Sequence, residues 1–133
     1  MSLNNKKSLM EEMIDEKLEQ NEQIIQKFES KYPQTSKAFK RIQSEQYLMF
    51  TKKALDYGLD NITLGASLDK EENVKFILTL IWVRVMDKIN RLKNLVIKNK
   101  QPNVKQESIL DNWKDISNYS IIAQLIMSKE WEK

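Results

Sequence analysis

Cysteine and histidine are both absent from the 133 residues. The chain therefore has no disulfide, no thiolate nucleophile, no imidazole base and none of the usual zinc ligand sets. Any metal it used would be a hard cation held by oxygen, Mg²⁺ or Mn²⁺. Long apolar runs are missing too. The nearly apolar stretch at residues 76–83 is far short of the ~20 residues needed to span a bilayer, so no membrane partner is expected. The polar, basic start carries no apolar h-region, so the sequence predicts no secretory signal and a cytoplasmic location. A net charge of +3 is too small to argue for nucleic acid by itself.

Glycine and proline number two each, and all four fall where a helical pattern breaks. Pro33 separates an amphipathic helix at about 6–29 from a second at about 36–57. Gly58 follows the second helix as a C-terminal cap would. Gly65 lies in a loop over 59–72, and Pro102 divides a third helix at 73–99 from a fourth at 106–128. No strand alternation or internal repeat competes with this reading. The expected fold is all-α, a single-domain bundle of about four main helices. Residues 1–35 would form an accessory or oligomerisation helix and 36–133 the functional domain, with a homodimer plausible.

What is present concentrates in the last two helices. In the fourth, Glu107, Asp111, Asp115 and Asn118 recur at +4, +4 and +3 and occupy an arc of roughly 80°. The same row continues into Ile122 and Leu125, so the carboxylates are expected to face an interior cleft. Ile109, Trp113, Ile116 and Ala123 lie opposite and read as the core face. In the third helix, residues 76–83 are apolar on nearly every side and read as buried. Beyond them Arg84, Asp87, Arg91, Asn94 and Lys98 recur over roughly 80°, flanked by Lys88 and Asn90. Tyr57, Trp82 and Trp113 read as core. Tyr119 reads as core with them, but beside Asn118 it is the best candidate among the four for a stacking surface.

Two readings of these stripes stand side by side. Clustered carboxylates are held together by a divalent cation, and arginines grip phosphate bidentately while lysine supplies a point charge. Glu107, Asp111 and Asp115 would then hold Mg²⁺ or Mn²⁺, and Arg84, Lys88 and Arg91 would hold a phosphate. Asn118 and Tyr119 would position a base or sugar, Asp56 could deliver another ligand, and Glu107 would activate water. The alternative is a network of salt bridges inside a protein-interaction module, in which Arg84 or Arg91 neutralises Asp111 or Asp115 and Asp87 completes the network. Residues 84–105 hold seven Lys/Arg against Asp87 alone. Lys93 points away from the stripe, so a nucleic-acid track over Lys88, Lys93, Lys98, Lys100 and Lys105 is not expected.

Asp56-Tyr57-Gly58, Arg84, Asp87-Lys88-Ile89-Asn90-Arg91-Leu92, Glu107-Ser108-Ile109, Asp111, Asp115 and Asn118-Tyr119, in that order and spacing, resemble the first type of nucleotide-modification-associated domain. The likeness spans about residues 46–128. It implies a helical domain linked to nucleotide metabolism or DNA-base modification, often phage-encoded, with a nucleotide as partner, and it tips the balance toward a ligand site. The chain is more loosely similar to the all-helical MazG-type nucleotide pyrophosphohydrolases. Their paired-glutamate E-E-x-x-E element is missing before the acidic row here, which puts that activity in doubt.

Overall fold

A computed structural model describes residues 2–98, 101 and 108–132, with side chains from Ser8 onward. Among the described residues the chain is all-helical, as expected. In order come α1 (Ser2–Lys31), α2 (Pro33–Tyr57), a short α3 (Asp60–Thr63), α4 (Glu71–Leu92), a π-helical turn (Lys93–Ile97) and α5 (Ile109–Met127). Contacts divide the chain into two units, Met1–Glu45 and Gln46–Lys133, so the boundary falls inside α2.

In the first unit α1 and the start of α2 meet at Pro33, the first residue of α2. Proline suits that position because its missing N–H would have had no helical partner. The junction is tied by Tyr32 N–H donating to the Phe28 carbonyl at 2.8 Å, by the Phe28 and Tyr32 rings at 5.2 Å, and by an ion pair of Lys40 with Glu29. The apolar side chains of α1, from Leu9 to Phe28, are exposed.

The second unit holds the core. Ile77 and Ile81 on α4 meet Ile122 and Ile126 on α5, each pair one turn apart, and Trp131 closes the end. Lys88 reaches Asp115 and Arg84 reaches Tyr119, so the two helices run antiparallel. The expected 59–72 loop contains the single turn α3. Gly58 (φ +75°) ends α2 in the left-handed conformation, where a side chain would be strained, and its N–H donates to the Ala54 carbonyl at 2.8 Å. Leu59, Ile62, Ala66 and Leu68 fold back over the core, and Trp131 Nε1 donates to the Leu59 carbonyl at 3.0 Å.

Burial departs from the sequence reading on both long helices. Only one side of the 76–83 segment is covered: Ile77 and Ile81 are buried, whereas Phe76, Trp82 and Val83 are exposed. On α5 the covered row is the one that begins with the acids and runs into Ile122 and Ile126. The stripe read as core is half-buried at Ile116 and Ala123 and exposed at Ile109 and Trp113. Tyr57, Trp82 and Trp113, expected in the core, are all exposed. Each of these helices has two apolar stripes, and periodicity alone does not say which of them the same chain covers.

Candidate functional site

On α4 the buried row Ile77–Ile81 turns cationic one turn later. Arg84, Lys88 and Arg91 continue the same face and are half-buried. Antiparallel packing sets them against the first half of α5, which supplies Asp115, Asn118 and Tyr119. The last two turns of α2 add Phe50, Lys53, Ala54 and Tyr57 from one side of that helix.

These elements enclose two concavities that share a wall. The narrower, about 390 Å³, has an apolar floor that includes Phe50, Leu59, Ile122 and Trp131. Its rim is polar, with Lys53, Tyr57, Asn61, Arg84, Lys88, Asp115, Asn118 and Tyr119. The wider, about 600 Å³, is lined by Arg84, Asp87, Lys88, Asn90, Arg91, Asn94 and Tyr119. Arg84, Lys88 and Tyr119 belong to both, and the Arg84 guanidinium stands over the Tyr119 ring, 5.9 Å from its centre. Four cations, Lys53, Arg84, Lys88 and Arg91, face two carboxylates, Asp87 and Asp115. The lining is positive.

The two central acids have different local partners. Asp115 is clasped by two ammonium groups, Lys88 Nζ at 3.1 Å from one oxygen and Lys53 Nζ at 3.4 Å from the other. Its side chain is 25 % exposed, as Lys88 is at 22 %, whereas Lys53 is half open to solvent. Asp111 belongs to the start of α5. Its Oδ2 accepts from the Ser108 N–H at 3.0 Å and the Ser108 hydroxyl at 2.8 Å, and its own N–H donates to Ser108 Oγ at 3.1 Å. This is a reciprocal capping box. The Ser108 backbone and hydroxyl bonds, aided by Lys114 and Lys53, hold the Asp111 carboxyl below the usual carboxylate range.

Among the described residues, no three Asp, Glu, His or Cys side chains converge into a group that could hold a metal ion. Asp111 and Asp115 do not form such a set by themselves, and Glu107, assigned both to the metal and to water activation, lies outside the described residues. Asp56 is exposed at the end of α2 and lines neither concavity. Asp87 lines the wider one. The structure therefore brings together Arg84, Lys88, Arg91, Asp87, Asp115, Asn118 and Tyr119.

Sequence reasoning missed Lys53, Asn61 and Trp131 as lining residues and placed Tyr57 in the core. The spacing Phe50, Lys53, Ala54, Tyr57 marks one side of α2 and could have pointed to the first and last of these. Asn112 was also missed. It is buried at 1 % exposure and donates through Nδ2 to the Ser108 carbonyl at 2.8 Å.

Residues 76–127 match the family described as nucleotide modification associated domain 1. No curated protein and no solved structure matches the chain. The matched segment thus covers most of α4, the π-helical turn and α5, with every charged lining residue of the two concavities except Lys53. It leaves out α2, including the Asp56-Tyr57-Gly58 triplet that contributed to the resemblance. The MazG-type likeness finds no support in these matches.

Proposed function

We propose that the paired concavities bind a nucleotide. The observation that carries this reading is the shared wall of Arg84, Lys88 and Tyr119, where cations suited to phosphate border a pocket with an aromatic and apolar floor. A phosphate would lie against Arg84 and Lys88, with Arg91 in the wider concavity extending the cationic surface. Arginine offers a planar fork to phosphate oxygens and lysine a mobile point charge. The base would enter the narrower pocket, against Tyr119, with the amides of Asn118 and Asn61 within its lining. The family description of the 76–127 segment supports a role linked to nucleotide metabolism or base modification. A phage origin and a cytoplasmic location would fit that role.

The reading rests on three cations of the chain, Arg84, Lys88 and Arg91. Whether Mg²⁺ or Mn²⁺ joins the ligand is decided in the same experiment as binding itself. Thermal melting would be followed against a panel of ribo- and deoxynucleotides, with and without each metal. A ligand at 100 times its Kd adds about 2.7 kcal/mol, and Arg84→Gln together with Lys88→Gln should abolish that shift. A flat panel would sink the nucleotide reading.

One observation favours a second reading, an interaction module with structural charges: Asp115 already has two lysine partners. Under that reading the lysines serve the fold, and no nucleotide changes the melting temperature.

A further inference from the structure

The two concavities differ in what they can hold. The narrower has the apolar floor, whereas every side chain lining the wider carries a polar or charged head. Beyond the Tyr119 ring that both share, the wider offers nothing to a base, and its 600 Å³ suits the polar part of a ligand. Arg84, Lys88 and Arg91 enter it from successive turns of α4, set against the one carboxylate of its lining, Asp87. They span on the order of 10 Å along the helix axis. Side chains on one face of a helix lean the same way, toward its N-terminus, so their heads keep that spacing. A single phosphate is narrower than one turn of about 5.4 Å. Held against Arg84 and Lys88 at the shared wall, it would not extend to Arg91, Asn90 and Asn94.

The far end of this row carries a second feature. Between the helices Arg84 meets Tyr119 and Lys88 meets Asp115. One turn further in the same register, Arg91 stands opposite Asn112. The Asn112 Nδ2 donates to the Ser108 carbonyl, but its Oδ1 is buried with no hydrogen-bond partner among the described residues. A buried acceptor left in that state is costly and calls for a donor. A guanidinium has five N–H donors, enough to serve Oδ1 and a phosphate together.

We propose that the site reads the length of a phosphate chain. It takes nucleoside di- and triphosphates in preference to monophosphates, and Arg91, held in place by Asn112, grips the phosphate farthest from the base. This rests on the nucleotide reading above and names its ligand class.

The test is calorimetric titration of the full chain with the mono-, di- and triphosphates of each common nucleoside, at constant ionic strength in EDTA. The triphosphate should bind about ten- to hundredfold more tightly than the monophosphate, as one added charge-assisted contact gives. Extra negative charge alone would favour the triphosphate at any cationic surface, so the variants locate the effect. Arg91→Gln should narrow the triphosphate-to-monophosphate ratio about tenfold. Arg84→Gln should weaken both ligands alike and keep the ratio. Asn112→Leu, similar in size and without the acceptor, should narrow the ratio as Arg91→Gln does. Each ratio is taken on one protein sample, so a partly unfolded variant does not change it. A monophosphate that binds as tightly as the triphosphate overturns this inference and leaves the nucleotide reading standing. A ratio narrowed equally by Arg84→Gln and Arg91→Gln does the same, and a wild-type ratio in Asn112→Leu strikes Asn112 from the proposal. Binding of none of these ligands overturns both readings.

Discussion

Replacing Asp115 by Asn probes the centre of the site with almost no change in shape. The carboxylate faces Lys88 at 3.1 Å and Lys53 at 3.4 Å. Removing its charge leaves Lys88, only 22 % exposed, without that counter-charge. The cost lies between the ~0.2–1 kcal/mol of an exposed pair and the ~3–5 kcal/mol of breaking a buried one. Lys53 is half exposed and adds little, so about 1–2 kcal/mol is expected, or roughly 5–10 °C in Tm for a domain of this size. The same change removes a negative charge from beside two ammonium groups that line the narrower concavity. A phosphate-bearing ligand should bind about tenfold more tightly, equivalent to ~1.4 kcal/mol. Melting curves at pH 7 and calorimetric titration with pyrophosphate and the best nucleotide of the panel read both quantities. A lower Tm with unchanged anion affinity would show that no phosphate meets these lysines, and the nucleotide reading would fall while the network stood. No change in either would mean that Asp115 neutralises nothing of consequence.

Two further outcomes follow from other parts of the second unit. Because the folded-state pKa of Asp111 is depressed, its charge stabilises the fold above the ordinary carboxylate pKa, and that contribution is lost as pH falls through the folded value. The Tm gap between wild type and Asp111→Asn should be full at pH 7 and close toward pH 2, whereas the loss of about 1 kcal/mol from Ser108→Ala should stay larger than that gap at low pH. Trp131→Phe keeps an aromatic ring against Phe50 but strands the Leu59 carbonyl; it should cost about 1–3 kcal/mol in denaturant titration, and an unchanged midpoint would show that water replaces the indole N–H.

The helices were legible because proline and glycine are scarce and sit at the breaks. Pro33 and Gly58 bracket α2 in the structure as the pattern required. The charged faces were legible as well: Arg84, Lys88 and Arg91 do line a concavity, and the acid row of α5 does turn inward, since it runs on into Ile122. What spacing could not supply was the third dimension. Asp111 and Asp115 share a helix face, yet one turn separates a carboxylate that caps its own helix from one that pairs with lysines of α2 and α4. Lys53 is 62 residues from Asp115, and no local pattern links them. Trp82 and Trp113 were placed in the core because hydrophobic periodicity reports that a face needs cover, and is silent about whose cover it gets.

The π-helical turn at Lys93–Ile97 gives the wider concavity an unusual edge. Asn94, part of that edge, lies within a coil closed by Lys98 N–H donating to the Lys93 carbonyl at 3.1 Å, one residue more per turn than its neighbours use. Deleting one residue ahead of Asn94 would let the segment rewind as ordinary α-helix and swing this amide by about 100°. The width of the opening is thus written in chain length: substitutions along the edge change what it is made of, whereas an insertion or deletion changes where it points.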